Sequence, residues 1–516
     1  MNVNIVAIAC VFMSVCAAIP FIPRGEKFGQ GRILLVWMLA GAVGFLVSNT
    51  LAALFLIALL FLAVSQIGSV KRVYLYLGVF TALPIGFHEY IPFPGLNYLI
   101  DMQYAKVATI VILGPVFLSV LMKPAPKTFR GVDRFLLAFV LMTGIMSIRD
   151  VSFTSMLRTT LDQFLLIYVP YLAITRTLTK QEHFTGAIKA IFVSILVYAM
   201  IALISTARDW NFYASFGGEM GYKAYADFRN GFLRITATLN PALLGLMMGI
   251  GLSSAMFMQR LKAHPRYFLY GFMIVFSFIL FVTGARGGWL SGIIAVSFYL
   301  LFSRLNRVGR RLLVVSCIAG VVSIITLIAQ DSSLISDQYG TVNYRAELLR
   351  TSFGQIAERP LFGSVDFLDS PRYAHLIQGE GIVDLVNAYL QVTLYYGLVG
   401  LALFLGAHLS CVRGGMKLIN AMQSKGVRDG GNDAAFRMIC LLLAAELAYL
   451  ALLATISAGT YIPHYGYVLM GLIVAQVRVQ LPVYSPKARR EIGSLDSDEP
   501  IGANAQEPGL APLPNA

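Results

Sequence analysis

The stretch Asn240-Pro241-Ala-Leu-Leu-Gly-Leu-Met-Met-Gly-Ile-Gly-Leu-Ser-Ser-Ala-Met-Phe-Met258 carries no charge from end to end. A helix needs roughly 20 apolar residues to cross a bilayer, and this run has that length. Its first two residues form a helix start. Asn accepts from the free N–H groups of the first turn, and Pro, which has no N–H to lose, fits the first helical position. Similar apolar runs recur near 3–22, 33–48, 50–67, 73–88, 105–122, 133–148, 160–176, 187–206, 267–283, 287–303, 312–329, 383–411, 436–457 and 461–478. The 33–67 stretch is too long for one helix, and Ser48-Asn49-Thr50 supplies a turn in its middle. The pattern predicts an all-α polytopic integral membrane protein with about 12–15 transmembrane helices, the short 73–88 run being a candidate re-entrant segment.

Composition agrees. Of 516 residues, 57% are hydrophobic and 13% charged, and the mean hydropathy is +0.72. Soluble domains carry about 25% charged residues, so a soluble enzyme and a disordered or fibrous chain are both excluded. The five cysteines lie in or beside apolar runs with no metal-ligand spacing, and read as small apolar membrane residues. No Lys or Arg precedes the first apolar run, whereas Arg24, Lys27 and Arg32 follow it. The run is therefore a span rather than a cleaved signal peptide, with its start outside and the next loop in the cytoplasm.

The net charge of +14 would suggest nucleic acid in a soluble chain. Here alternation of the spans puts 28 of the 40 basic residues on cytoplasmic segments, which is the insertion code. The other 12 sit where that code disfavours them: Lys106, Arg149, Arg158, Arg208, Lys223, Arg229, Arg234, Arg286, Arg345, Arg350, Arg359 and Arg372. These are the better functional candidates.

Three motifs contain several of them. Arg234 lies six residues before the Asn240-Pro241 cap, and Arg229 is further upstream. A helix N-terminus offers free N–H groups and a partial positive charge to an anion, and Arg grips a phosphate with two parallel hydrogen bonds. Thr283-Gly284-Ala285-Arg286-Gly287-Gly288-Trp289 forms a short outer turn that places Arg286 at the start of the next span. Together the two give a pyrophosphate clamp at the outer face. The plain alternatives are an ordinary cap with a snorkelling Arg234, and an interfacial anchor at Arg286 beside Trp289. The third motif spans the long outer segment 330–382, with an amphipathic helix at Tyr344–Glu358 that holds Arg345. It continues through Pro360-Leu-Phe-Gly363, Glu380, Asp384, Asn387 and Tyr396-Gly397. Glu380 and Asp384 at the mouth of a span are placed to orient or deprotonate a hydroxyl, or are surface charge. His88, His375 and His464 fall outside, and Glu446 lies within a span, where it must face protein or water. After Pro482 the chain reads as a disordered cytoplasmic tail, where Asp496-Ser-Asp498 is a solvated charge run.

In the order, spacing and common side of these motifs, the chain resembles the O-antigen ligase and polymerase-like family over roughly residues 230–410. The resemblance implies a helical glycosyltransferase of the bacterial inner membrane, active at its periplasmic face. The donor would be an undecaprenyl-pyrophosphate-linked oligosaccharide and the acceptor a glycan hydroxyl. Neither a metal nor another cofactor is implied. A chain-length regulator and a flippase are candidate partners. Arg234 and Arg286, with Arg229 and Arg345, would bind the pyrophosphate, while Asn240, Pro241, Gly287 and Asn387 would shape the site. Ligases of this family carry His immediately before the Asn of the exit helix, where this chain has Val386. Asp384 is the substitute base, with Glu380 and His375 in reserve. The departure favours a polymerase of exopolysaccharide or O-antigen over a ligase acting on lipid A-core. A flippase without bond formation is a second alternative, although no internal repeat is evident. A metal-dependent polyprenyl-phosphate-sugar transferase is disfavoured, because the first outer loop offers only the separated Glu89 and Asp101.

The expected organisation is an N-terminal transmembrane bundle at 1–206 and core helices with the two Arg motifs at 207–329. A large periplasmic loop at 330–382, C-terminal helices at 383–481 and a tail at 482–516 would follow.

Overall fold

The computed structural model describes residues 3–23, 27–65, 68–84, 86–93, 96–124, 128–149, 153–215, 228–229, 231–261, 265–304, 308, 312, 341–377, 382–426, 433–457 and 462–485. The expected span 312–329, Glu380 and the C-terminal tail lie outside the described residues.

The chain is a helical bundle. Among the described residues, ten helices are long and apolar enough to cross a membrane, and Thr50–Val64 and Tyr267–Val282 are shorter apolar helices. The turn expected at 48–50 is a cap: Asn49 Oδ1 accepts from Ala52 N at 2.8 Å and starts the Thr50–Val64 helix. The 73–88 run is helical only over Ser69–Val79, too short to span. The loop that follows is a two-stranded antiparallel hairpin, His88–Phe93 against Leu96–Gln103.

Glu446 faces protein. Its Oε1 lies 2.7 Å from His408 Nδ1 in the adjoining helix, and both side chains are fully buried. A lone carboxylate there would be costly, and the imidazole supplies its partner.

The helix Arg286–Arg304 packs against Pro241–Arg260 on one side and Asp433–Leu453 on another. The first contact is glycine on glycine. A Cβ built on Gly249 would lie 2.4 Å from Gly292 Cα, and one on Gly245 would lie 2.7 Å from Gly288 Cα. Both helices thus carry two glycines four residues apart, on the faces that meet. With no hydrophobic force between helices in lipid, close backbone approach through small residues is a main source of attraction. Ser253 Oγ continues the seam, donating to Ala295 O at 3.2 Å.

At Gly245 and Gly249 no Cβ fits without backbone movement. Gly249→Val is expected to destabilise the bundle by about 1–3 kcal/mol or more. A lowered melting temperature in detergent checks this, and an unchanged one counts against the crossing.

Candidate functional site

The glycine crossing holds two helix starts side by side. Asn240 Oδ1 accepts from Leu243 N at 2.8 Å, capping Pro241–Arg260 as the sequence predicts. Upstream, the segment 228–240 runs along the turn that precedes Arg286. Ile235 N donates to Val282 O at 3.5 Å, and Arg229 Nη1 donates to Gly284 O at 3.2 Å. Gly284 has φ of +57°, and a Cβ there would sit 3.2 Å from the Arg229 stem. Asn211 fixes the same segment from a third direction. Its Nδ2 donates to Arg234 O at 2.9 Å and its Oδ1 accepts from Thr236 N at 3.3 Å. Arg234 is half-buried. Arg286 is the first residue of its helix, is exposed, and makes no hydrogen bond or ion pair with another described residue.

Thr455 and Ser457, just past the Asp433–Leu453 helix, join the third motif to these two. A Cβ on Gly287 would come 2.0 Å from Thr455 Oγ1, so the threonine sits directly on that glycine. Thr455 O accepts from Arg345 Nη2 at 3.3 Å. Ser457 Oγ donates to Asp384 Oδ1 at 3.2 Å. Gly287, next to Arg286, and Arg345 and Asp384 are therefore gathered around one short segment that the three motifs do not include. The signal was present in Thr455-Ile-Ser457-Ala-Gly-Thr460, small polar residues where an apolar run ends.

Asp384 is half-buried, and its Oδ1 also accepts from Val386 N at 3.2 Å. This turn holds Val386 at φ +34°, a region that a β-branched residue rarely enters, at a cost of about 1–3 kcal/mol. Tyr344 Oη donates to Asp384 O at 2.9 Å, tying the Thr341–Glu358 helix to the same turn. Asn387 then caps the exit helix Ala388–Ser424, accepting from Leu390 N at 3.1 Å.

The outer segment has a small core of its own, with Leu348, Phe367, Tyr373 and Leu376 packed on Leu385, Leu390 and Leu394 of the exit turn and helix. It is latched where the exit helix breaks. Gly397 has φ +68°, and a Cβ there would lie 2.2 Å from Leu361 O. Leu398 N donates to Pro360 O at 2.8 Å, Val399 N to Leu361 O at 3.2 Å and Ser364 N to Leu394 O at 2.8 Å. Arg149 braces the junction, donating to Phe362 O at 2.9 Å, Gly363 O at 3.2 Å and Tyr395 O at 2.9 Å. Nearby, the Ser364 hydroxyl donates to Asp366 and, with Arg359 and Arg149, holds that carboxyl below its ordinary range. Its contribution is present at neutral pH and is lost only as pH falls through that lowered value.

His375 is half exposed and 3.4 Å from Glu347 Oε1, and no contact joins it to the arginine cluster. Other cations that the sequence reading set apart are satisfied structurally. Arg158 donates to Tyr98 O at 2.9 Å and covers its ring, buried Lys106 pairs with Asp162 at 2.6 Å, and Arg372 pairs with Glu358 at 2.5 Å. On the hairpin, Asp101 meets not Glu89 but His88, whose Nδ1 is 2.6 Å from its Oδ1.

The segment that holds Arg286, Gly287, Arg345, Asp384 and Asn387 has relatives. Residues 271–405 match the family model O-Antigen ligase. This part of the chain is similar to the O-antigen ligase family. It covers about a quarter of the chain, beginning in the helix before Arg286 and ending inside the exit helix. Arg229, Ile235 and the Thr455–Ser457 segment contact the matched residues from outside them. No curated protein matches the chain.

Arg149 engages carbonyls in two separate segments, which a lysine ammonium, a point donor, cannot replicate. Losing such bonds costs about 1.5–3 kcal/mol. In Arg149→Lys, limited proteolysis is expected to cut 341–377 roughly tenfold faster while the protein stays in the membrane. Unchanged cleavage would show that the latch holds without it.

Proposed function

We propose that the chain is an inner-membrane glycan polymerase. It joins undecaprenyl-pyrophosphate-linked repeat units into exopolysaccharide or O-antigen at the periplasmic face. The observation that carries this reading is the convergence of Arg345, Asp384 and Gly287, the residue after Arg286, on the Thr455–Ser457 segment, with Arg229 against the turn before Arg286. All of this lies in or against the residues similar to the O-antigen ligase family.

In the reaction, a hydroxyl oxygen of the acceptor glycan attacks the anomeric carbon of the donor. The bond from that carbon to the pyrophosphate oxygen breaks, and the lipid pyrophosphate departs with the bonding pair. Arg286 is exposed at the helix start and free of described partners, so its guanidinium is available to the diphosphate. The helix N-terminus adds its partial positive charge to the same place. Arg234, Arg229 and Arg345 extend the field, stabilising negative charge as it grows on the leaving group without a metal. Asp384 takes the hydroxyl proton through the oxygen that the turn leaves unused. Its Oδ1 is committed to Val386 and Ser457, which aims the carboxylate.

The second reading is a ligase that transfers the glycan to a lipid A-core acceptor, and the description of the matched family favours it. Val386, in the place of the ligase histidine, favours the polymerase. A deletion strain separates the two. Loss of a polymerase leaves single-repeat product, whereas loss of a ligase leaves full-length polymer unattached.

Arg286→Ala is expected to leave the protein in the membrane and to lower polymer synthesis by about 100-fold or more, the scale for losing a donor aimed at developing charge. Arg286→Lys keeps a charge but not the bidentate fork and should recover part of the activity. Normal chain length in Arg286→Ala would sink the pyrophosphate role. Asp384→Asn retains the acceptor oxygen used by Val386 and Ser457, so the turn survives. Synthesis should fall by about 100-fold or more with donor binding intact. Activity is expected to persist in EDTA, and loss reversed by added divalent cation would overturn the metal-free part of the mechanism.

A further inference from the structure

A second opening lies far from the arginine mouth. It is a cavity of about 850 Å³ where four helices begin or end: Lys27–Leu46, Thr50–Val64, Ser69–Val79 and Gln181–Arg208. The Gln181–Arg208 helix separates the two places. Its first residues line the cavity, while Asn211, just past its end, holds Arg234. At about 1.5 Å per residue, that helix puts roughly 40 Å between them.

Three cations from three different helices line this cavity: Arg32, Lys71 and Lys189. Arg32 is held in place by a hydrogen bond from Nη1 to Val64 O at 3.1 Å. Lys71 is exposed and has no hydrogen bond or ion pair to another described residue. The acid on the lining, Glu182, is exposed and stands 3.9 Å from Lys180. The insertion code explains why basic residues lie at this end of the bundle. It does not explain why three converge on one cavity instead of spreading into solvent.

A second observation points to a ligand. Gln30 also lines the cavity and is only 5% exposed, yet its Oε1 has no hydrogen-bond partner among the described residues. A buried amide left unsatisfied costs about 1–3 kcal/mol, so such groups are normally paired. The amide accepts through oxygen and donates through nitrogen. It is suited to a ligand that carries a hydroxyl beside its anionic group. Ile33, Val64 and Leu75 give the cavity an apolar wall continuous with the bundle.

We propose that this cavity binds a phosphate-bearing ligand, its phosphate between Arg32, Lys71 and Lys189 and a neighbouring hydroxyl on Gln30. A phosphoglycerol lipid headgroup has this chemistry, with its chains along the apolar wall, and a free phosphate shares the anionic part. The site is separate from the arginine mouth and does not rest on the function proposed for it.

The test uses the full chain in detergent. Its thermal stability is followed while phosphatidylglycerol, phosphatidylcholine or inorganic phosphate is titrated in. Phosphatidylglycerol is expected to raise the melting temperature where phosphatidylcholine does not. The double variant Lys71→Gln/Lys189→Gln should weaken the apparent affinity by roughly tenfold or more, the scale for losing hydrogen bonds to a charged group. Arg413→Gln/Lys417→Gln, basic residues away from the cavity, should leave the shift unchanged. Gln30→Leu removes the amide at similar bulk, tests the same site should the lysine variant fold poorly, and should also weaken binding. If inorganic phosphate alone reproduces the shift with the same dependence on Lys71 and Lys189, the site stands with free phosphate as its ligand. Equal shifts in the wild type and in every cavity variant, or no shift with either phosphate compound, would overturn the proposal.

Discussion

The glycine seam between Pro241–Arg260 and Arg286–Arg304 fixes the spacing of everything at the arginine mouth. Two helices that meet backbone to backbone leave no room for a side chain to hold their ends apart. Their N-termini therefore present free N–H groups to the same volume, and the 228–240 segment can bond across to the 282–286 turn. A membrane protein has little hydrophobic force with which to impose such a spacing, since lipid is as apolar as the interface. Contact area has to come from shape, and glycine gives the closest shape available.

Around that seam, charge is handled in two opposite ways. Arg149, Arg158, Lys106 and Arg372 spend their donors on carbonyls, a ring or carboxylates, and so act as braces. Arg286 stands at a helix start with nothing described to oppose it. The same residue type on the same side of the bundle is a strut in one place and an available cation in another. What separates the two is whether a partner lies within hydrogen-bonding reach. Asp384 combines both roles, with one oxygen built into the turn that strains Val386.

Much of this was legible in the sequence. Bilayer thickness demands long apolar runs, and the cap at Asn240 follows from side-chain chemistry within one turn. Both kinds of signal are local. The amphipathic 344–358 segment was readable for the same reason, and forms a helix over Thr341–Glu358. Contacts between distant segments were not legible. Thr455 and Ser457 look like an ordinary span boundary until Gly287 and Asp384 are brought against them. Arg149 stood out as a misplaced cation, and nothing near it in sequence announces carbonyls more than 200 residues away. The hairpin at 88–103 was hidden among apolar residues that read equally well as span ends. At the opposite end, the basic residues were explained by the insertion code, which is blind to their convergence on a cavity.

The latch between the outer segment and the exit helix is made almost wholly of main-chain atoms. Peptide N–H and C=O groups of 360–364 meet those of 394–399, two glycines allow the approach, and one guanidinium closes it over carbonyls. Such a joint does not read the side chains that the segment carries on its outer surface. Residues there, among them Phe353 and Leu368, are free to change without undocking the segment. Attachment and recognition are thereby uncoupled. A lineage can alter that surface while inheriting the same mount, so divergence in this protein should collect on the segment's face and spare its joint.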